Sequence, residues 1–126
     1  MPERKIYEYA VLRFVPRVER EEFINIGVVL YCKDKEFLAV KTRLDESRLK
    51  ALFQLTDLSE LMAYVSAFHL IANGDERGGP IAFLDQASRF RWLTAKRSTI
   101  VQISPIHSGL TYDAEQTLMA LFEELT

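Results

Sequence analysis

The sequence contains few of the residues on which metal sites and covalent chemistry are usually built. Among 126 residues it has one cysteine, Cys32, and two histidines, His69 and His107. One cysteine excludes an internal disulfide and favours a reducing compartment, so we expect a cytoplasmic protein. These residues provide no zinc-binding spacing, and only a carboxylate-bound magnesium site is left open. We expect no metal and no cofactor.

Other familiar signals are also missing. There is no phosphate-binding loop, no dinucleotide-binding glycine motif and no nucleophile elbow. Residues 1–11 lack the apolar stretch of a signal peptide, and the longest mainly apolar segment, residues 58–72, is too short and too polar to span a bilayer. The net charge of -2 gives no overall attraction to nucleic acid. We therefore expect a soluble protein without a membrane partner.

The strand pattern predicts an antiparallel sheet in a single domain, residues 1–126. Residues 6–15 are apolar on both faces, which is typical of a central strand. Residues 23–32 and 36–42 flank the short KDK segment and predict a hairpin, so the first three strands form a meander. A later strand is predicted at residues 98–104.

Helical spacing appears between and after these strands. Asp45, Asp57 and Asp113 are predicted helix N-caps, and helices are expected over residues 44–53, 58–73 and 114–125. Residues 81–94 are also expected to form a helix, with a strand as the alternative because Phe90 and Trp92 alternate. The glycine-rich residues 74–80 predict a flexible loop. Together the patterns indicate an α+β fold, in which a mostly antiparallel sheet of about four strands carries three to four packed helices.

A basic stretch with hydroxyl residues, defined here as residues 89–99, is the first candidate site. This stretch contains no Asp or Glu, and its basic and hydroxyl side chains can donate hydrogen bonds to phosphate or carboxylate oxygens. The candidate residues are Arg89, Arg91, Lys96, Arg97, Ser98 and Thr99. The alternative is a solvated helix face above an inward-facing Phe90 and Trp92. If the stretch is an anion site, Arg97 should contribute to binding and little to stability, and Trp92 should be buried.

Two further segments contain candidate residues. His107 is a candidate general base in a loop, with Ser104 or Ser108 as its nucleophile, although a structural histidine is the favoured interpretation. His69 lies on the apolar side of a helix and is expected to be buried or at a boundary. Asn25 and Gly27 interrupt a strand, which indicates a β-bulge or a close backbone approach and makes Asn25 a secondary candidate for binding.

Four segments together carry a family resemblance: YEYAVLRFVP, EEFINIGVVLYC, RFRWLTAKRSTIVQISPIHSGLT and LMALFEEL. They resemble the bacterial family known as domain of unknown function 3037, over nearly the whole chain. The resemblance implies no catalytic residues, because the family has no established activity. Its members are often encoded beside HipA-like kinases, which implies an accessory or regulatory protein whose partner is such a kinase.

Three functions follow from these observations, in order of preference. The first is a regulatory binding module for an anionic, for example phosphorylated, protein partner. The second is a small enzyme acting on a phosphoryl or acyl substrate, with His107 as base. The third is a nucleic-acid-binding protein, which the acidic overall charge disfavours. Whether the protein is an enzyme and whether it forms a homo-oligomer are left open.

Overall fold

The computed structural model describes residues 3–53 and 57–126. Five antiparallel strands and four α-helices occur within these residues. In chain order they are β1 (Lys5–Phe14), β2 (Ile24–Cys32), β3 (Phe37–Thr42), α1 (Glu46–Phe53), α2 (Ser59–Ala72), α3 (Gln86–Leu93), β4 (Val101–Ile103), β5 (His107–Thr111) and α4 (Ala114–Leu125). The α+β fold predicted from the sequence is confirmed, with one strand more than expected.

Strand β1 lies at the centre of the sheet, as its two apolar faces predicted. The strand order is β3-β2-β1-β4, and β5 also pairs with β1, so the predicted meander of the first three strands is confirmed. Leu12 and Phe14 face the main core beneath α1, α2 and α3. Tyr7 and Tyr9 face the opposite side, where they pack in a second cluster with Phe122 of α4. Helices thus cover both faces of the sheet.

Gly27 satisfies both explanations that its position in a strand suggested. Leu12 pairs with Gly27 while Arg13 pairs with Asn25, so Ile26 is an extra residue and forms a bulge. A Cβ atom at position 27 would lie 2.6 Å from the carbonyl oxygen of Lys41, which means that the backbone of β3 approaches β2 closely here. The bulge changes the direction of β2 just where Asn25 lies.

Aspartate side chains cap three of the described helices, and the sequence predicted two of these caps, Asp45 and Asp113. The N-cap of α2 predicted at Asp57 is wrong, because Leu58 occupies that position and makes no side-chain cap hydrogen bond. The Oδ1 atoms of Asp45, Asp85 and Asp113 accept hydrogen bonds from backbone N–H groups in the first turns of α1, α3 and α4, at 3.1, 2.7 and 3.2 Å. Helix α2 ends just before Gly74, which adopts the left-handed conformation with φ of 66°. These local contacts explain why most helix boundaries were predictable.

The glycine-rich segment after α2 folds into two 3-10 turns, Glu76–Gly78 and Pro80–Phe83, where the sequence suggested a flexible loop. The Asp75 carboxylate accepts hydrogen bonds from the Arg77 side chain, including one of 2.7 Å, and from the Arg77 backbone N–H. These bonds lower the pKa of Asp75 to about 2.

Within the described ranges, no helix is long and apolar enough to cross a membrane.

The expectation of a loop around His107 is wrong, because residues 107–111 form strand β5. Strands β4 and β5 follow one another along the same edge of β1, and Ser104 fills the interruption between them. The Ser104 N–H donates to the Val11 carbonyl at 2.9 Å, and the Ser104 Oγ atom accepts from the Val11 N–H at 2.8 Å. A serine side chain therefore replaces a backbone acceptor. The weak strand propensity of His-Ser-Gly concealed β5 in the sequence.

Replacing Ser104 by alanine is expected to lower the free energy of unfolding by about 2 kcal/mol, because the buried Val11 N–H loses its acceptor. Ser104 is 5% exposed. Urea unfolding monitored by circular dichroism measures the change. Ser108→Ala is the matched control, since Ser108 is exposed on β5 and its change should stay within about 0.5 kcal/mol. Equal effects of the two changes would contradict this role for Ser104.

Candidate functional site

Arg89, the first member of the basic stretch, lies against the end of helix α2. Its Nη1 atom donates to the carbonyl oxygens of Ile71 and Ala72 at 3.0 and 2.7 Å, and its Nε atom donates to Leu84 at 2.9 Å. The last carbonyls of a helix lack partners within the helix and carry partial negative charge. Arg89 therefore joins α3 to the end of α2, and its Nε and Nη1 donors are used by backbone carbonyls of the scaffold.

Arg97 has the same role at the end of α3. Its Nη1 and Nη2 atoms donate to the carbonyls of Leu93 and Trp92 at 3.0 and 2.7 Å. Its guanidinium carbon lies 5.1 Å from the ring centroid of Phe68 and 4.9 Å from that of Trp92. Burial lowers the pKa of Arg97. Trp92 is 36% exposed, so the expectation that it is a fully buried aromatic is wrong, and one of its roles is to stack on this guanidinium.

The rest of the basic stretch does not gather around one point. Arg91 donates to the Oγ atom of Ser88 at 3.1 Å, Lys96 and Ser98 are exposed, and Thr99 donates to the Val101 carbonyl at 2.8 Å. Two of the four cations thus serve helix ends, while the other two lie at the surface. Neither of the two cavities described below is lined by a residue of this stretch.

His107 lies at the exposed start of β5, and its ring centroid is 5.3 Å from that of Tyr9. Ser104 is buried, and besides accepting from Val11 its hydroxyl donates to the Pro105 carbonyl at 2.9 Å. Ser108 is the next residue of the strand, so its side chain points to the opposite face from that of His107. The structure does not bring His107 together with either serine as an acid–base pair.

His69 is half-buried, as expected from its helix position. Its Nε2 atom is 2.9 Å from the Thr42 Oγ1 atom, and burial lowers the pKa of the imidazole. Among the residues that the structure describes, no group of three or more His, Cys, Asp or Glu side chains is placed to hold a metal ion.

A cavity of about 180 Å³ lies at one end of the sheet, and we call it the sheet-end cavity. It is formed where β2 begins, β3 ends, α1 begins and α4 ends, and its polar lining residues are Asn25, Arg43, Asp45, Arg48 and Thr126. Asn25 is the one sequence candidate that lines it. Arg43 and Arg48 were missed, because two arginines five positions apart form no motif until the fold brings Asn25 beside them.

The two arginines of the sheet-end cavity are held differently. Arg43 pairs with Glu123 at 3.0 Å, and its guanidinium carbon lies 4.7 Å from the ring centroid of Phe122. Arg48 is exposed in the first turn of α1, and within residues 3–53 and 57–126 it makes no ion pair. Asp45 is occupied as the cap of α1. The cavity therefore has one anchored cation and one available cation.

Asn25 and Arg13 contribute polar atoms that lack partners. Asn25 donates through Nδ2 to the Leu125 carbonyl at 3.1 Å, but its Oδ1 atom is buried and accepts no hydrogen bond from the described residues. The Nε atom of Arg13, the direct cross-strand partner of Asn25, is also buried and donates no hydrogen bond to the described residues. Buried polar atoms without partners are costly, so both atoms need a hydrogen-bond partner that the described residues do not supply.

The chain was also compared with known proteins. Neither the curated proteins nor the solved structures include a significant match. The family model described as protein of unknown function (DUF3037) matches residues 9–126, which include every strand and helix of the fold apart from the first four residues of β1. The family resemblance noted from the sequence is thereby confirmed, and the chain belongs to the DUF3037 family.

Proposed function

We propose that this protein is a binding module that recognises an anionic group, a phosphate or a carboxylate, presented by a protein partner. The observation that carries the proposal is the sheet-end cavity, where Arg43, Arg48 and Asn25 converge. Guanidinium groups bind phosphate and carboxylate oxygens through paired N–H donors. We therefore place the anion-binding site at the sheet-end cavity, between β2, the end of β3 and α1, and not at the basic stretch 89–99.

The size of the cavity favours a single anionic group that belongs to a larger partner. Its volume of about 180 Å³ is below the roughly 300–1,000 Å³ of most small-molecule sites. That space suits one phosphate or carboxylate group, and the remainder of the ligand would lie on the surface. A phosphorylated side chain or an acidic side chain of a protein meets this condition.

The electrostatics of the site support an anion over a neutral group. The ion pair of Arg43 with Glu123 is solvent-exposed, so it is worth little and an incoming anion competes with it readily. The ring of Phe122 holds the Arg43 guanidinium in place when that partner changes.

A HipA-like kinase is the first partner to test, because the family resemblance suggests one and a kinase segment can carry phosphate. The enzymatic alternative has less support, since His107 lines neither the sheet-end cavity nor the open groove at Leu110–Ala120, and it pairs with neither Ser104 nor Ser108. The nucleic-acid alternative depends on the basic stretch. It has less support because Arg89 and Arg97 of that stretch donate hydrogen bonds to backbone carbonyls at helix ends.

Replacing Arg48 by glutamine is expected to weaken binding of a phosphoserine peptide at least about tenfold, because one charge-assisted contact is lost. Stability should change by less than about 0.5 kcal/mol, since Arg48 is exposed. Isothermal titration with the phosphorylated peptide, its unphosphorylated form and inorganic phosphate measures the effect. Arg91→Gln is the matched control, an exposed arginine of the basic stretch whose change should leave binding intact.

The opposite pattern would overturn the proposal. Loss of binding in Arg91→Gln with normal binding in Arg48→Gln would return the site to the basic stretch. Tighter binding of a single-stranded oligonucleotide than of the phosphopeptide, with a strong dependence on salt, would favour the nucleic-acid function instead.

A further inference from the structure

Strand β5 leaves one edge of the sheet open. Its residues pair with Lys5–Tyr9 of β1 on one side, and on the other side no strand of the described chain pairs with it. His107, Ser108 and Leu110 are exposed. In an antiparallel strand about half of the backbone N–H and C=O groups face away from the neighbouring strand, so β5 presents unpaired donors and acceptors to its surroundings.

This edge lacks the protection that edge strands usually carry. Charged side chains, lysine above all, normally prevent a free edge from pairing with another chain. Residues 98–112 contain no Asp, Glu, Lys or Arg, whereas the opposite edge strand β3 carries Lys41 and follows the charged turn 33–36. Pro105 and the interruption at Ser104 protect β4, but they lie outside β5. The free edge of β5 is therefore competent to accept a strand.

Apolar side chains are exposed beside the same edge. Ile6 and Leu110 are direct cross-strand partners and are 64% and 53% exposed, and Tyr112 just after β5 is 58% exposed. Leu110 and Tyr112 also line an open groove of about 370 Å³ that continues to Gln116 and Ala120 of α4. Exposed apolar side chains beside open hydrogen-bonding groups are the arrangement by which a sheet accepts an added strand.

We propose that β5 pairs antiparallel with β5 of a second copy of this chain, so that two sheets join into one. A strand that pairs antiparallel with its own copy around a twofold axis lies against the same segment of that copy, with residue i opposite residue j and residue j opposite residue i. Charges of one sign on this segment would therefore lie close to like charges. The uncharged segment 98–112 avoids that repulsion. The same axis places the two Ile6–Leu110 pairs on one face of the joined sheet. A short strand pair buries limited area, so the dimer is weak and concentration-dependent.

The sheet-end cavity is formed by the start of β2 and by α1, whereas β5 lies at the free edge beyond β1. Each protomer of the dimer keeps its own cavity. The proposal is thus independent of the proposed function, and a dimer would present two anion sites to one partner, which raises the apparent affinity for a partner that carries two such groups.

Leu110→Lys tests the proposal, because it places a charge beside the free edge in both copies. In sedimentation equilibrium the wild-type protein should show a concentration-dependent dimer, and the variant should raise the dimer Kd at least about tenfold. Leu52→Lys is the matched control, a leucine 57% exposed on α1, and it should dimerise as the wild type does. Phosphopeptide binding should be unchanged in both variants, so this proposal and the proposed function can fail separately.

Amide hydrogen exchange locates the contact. Exchange of the β5 amides should slow as the protein concentration rises, and amides of β3 should not respond. If Leu110→Lys does not fold, Ser108→Lys replaces it, since Ser108 is exposed on the same strand. A wild-type protein that stays monomeric at millimolar concentration would overturn the proposal. So would a dimer that neither Leu110→Lys nor Ser108→Lys weakens. So would a monomer whose β5 amides become protected only when a different protein is added.

Discussion

Replacing Arg97 by alanine is expected to lower the free energy of unfolding by about 3 kcal/mol. The change removes two charge-assisted hydrogen bonds to the carbonyls of Trp92 and Leu93, which lie at the end of α3. It also removes the guanidinium that lies over the rings of Phe68 and Trp92. This expectation reverses the one based on sequence, in which Arg97 contributed to binding and little to stability.

Urea unfolding at neutral pH measures this loss, and Lys96→Ala is the matched control. Lys96 is the adjacent cation, is exposed, and makes no hydrogen bond or ion pair in the described part of the chain, so its change should stay within about 0.5 kcal/mol. A loss below about 1 kcal/mol in Arg97→Ala would show that the helix-end contacts are replaced by water at little cost. In that case Arg97 is available to a ligand, and the basic stretch regains its place as a candidate site.

Replacing Gly27 by alanine is also expected to cost about 3 kcal/mol, at the upper end of the usual effect of overpacking. The added Cβ atom would lie 2.6 Å from the Lys41 carbonyl oxygen and 2.8 Å from the Thr42 Cγ2 atom. The first of these atoms belongs to the backbone of β3, which cannot move without disturbing the pairing of β2 with β3. No rotamer change relieves the contact.

Gly109→Ala separates a backbone clash from a side-chain clash. A Cβ atom at Gly109 would lie 2.6 Å from the Tyr7 hydroxyl oxygen, the same distance as the backbone contact at Gly27. The atoms it meets belong to a partly exposed side chain, which can rotate, so we expect a loss of about 1 kcal/mol. Urea unfolding of both variants checks the difference. Equal losses would show that the strand spacing at Gly27 is not the limiting contact.

The candidate site was only partly accessible from the sequence. Asn25 could be singled out because asparagine is unusual in a strand, and it does line the sheet-end cavity. Arg43 and Arg48 could not, since each stands in an ordinary charged context and only the packing of α1 beside the start of β2 brings them to Asn25. The clustered arginines at 89–97 gave a stronger sequence signal, yet two of them contact helix ends.

Local interactions explain what the sequence determined by itself. Strand and helix positions, the aspartate caps and the central position of β1 depend on residues close in the chain, through alternation, helical spacing and N-cap hydrogen bonds. The tertiary structure decided the rest. Strand β5 has weak local propensity and forms because β1 offers a free edge and Ser104 completes the interruption between β4 and β5. Whether an arginine caps a helix or faces a cavity depends on contacts between residues distant in sequence, such as those of Arg89 with Ile71 and Ala72.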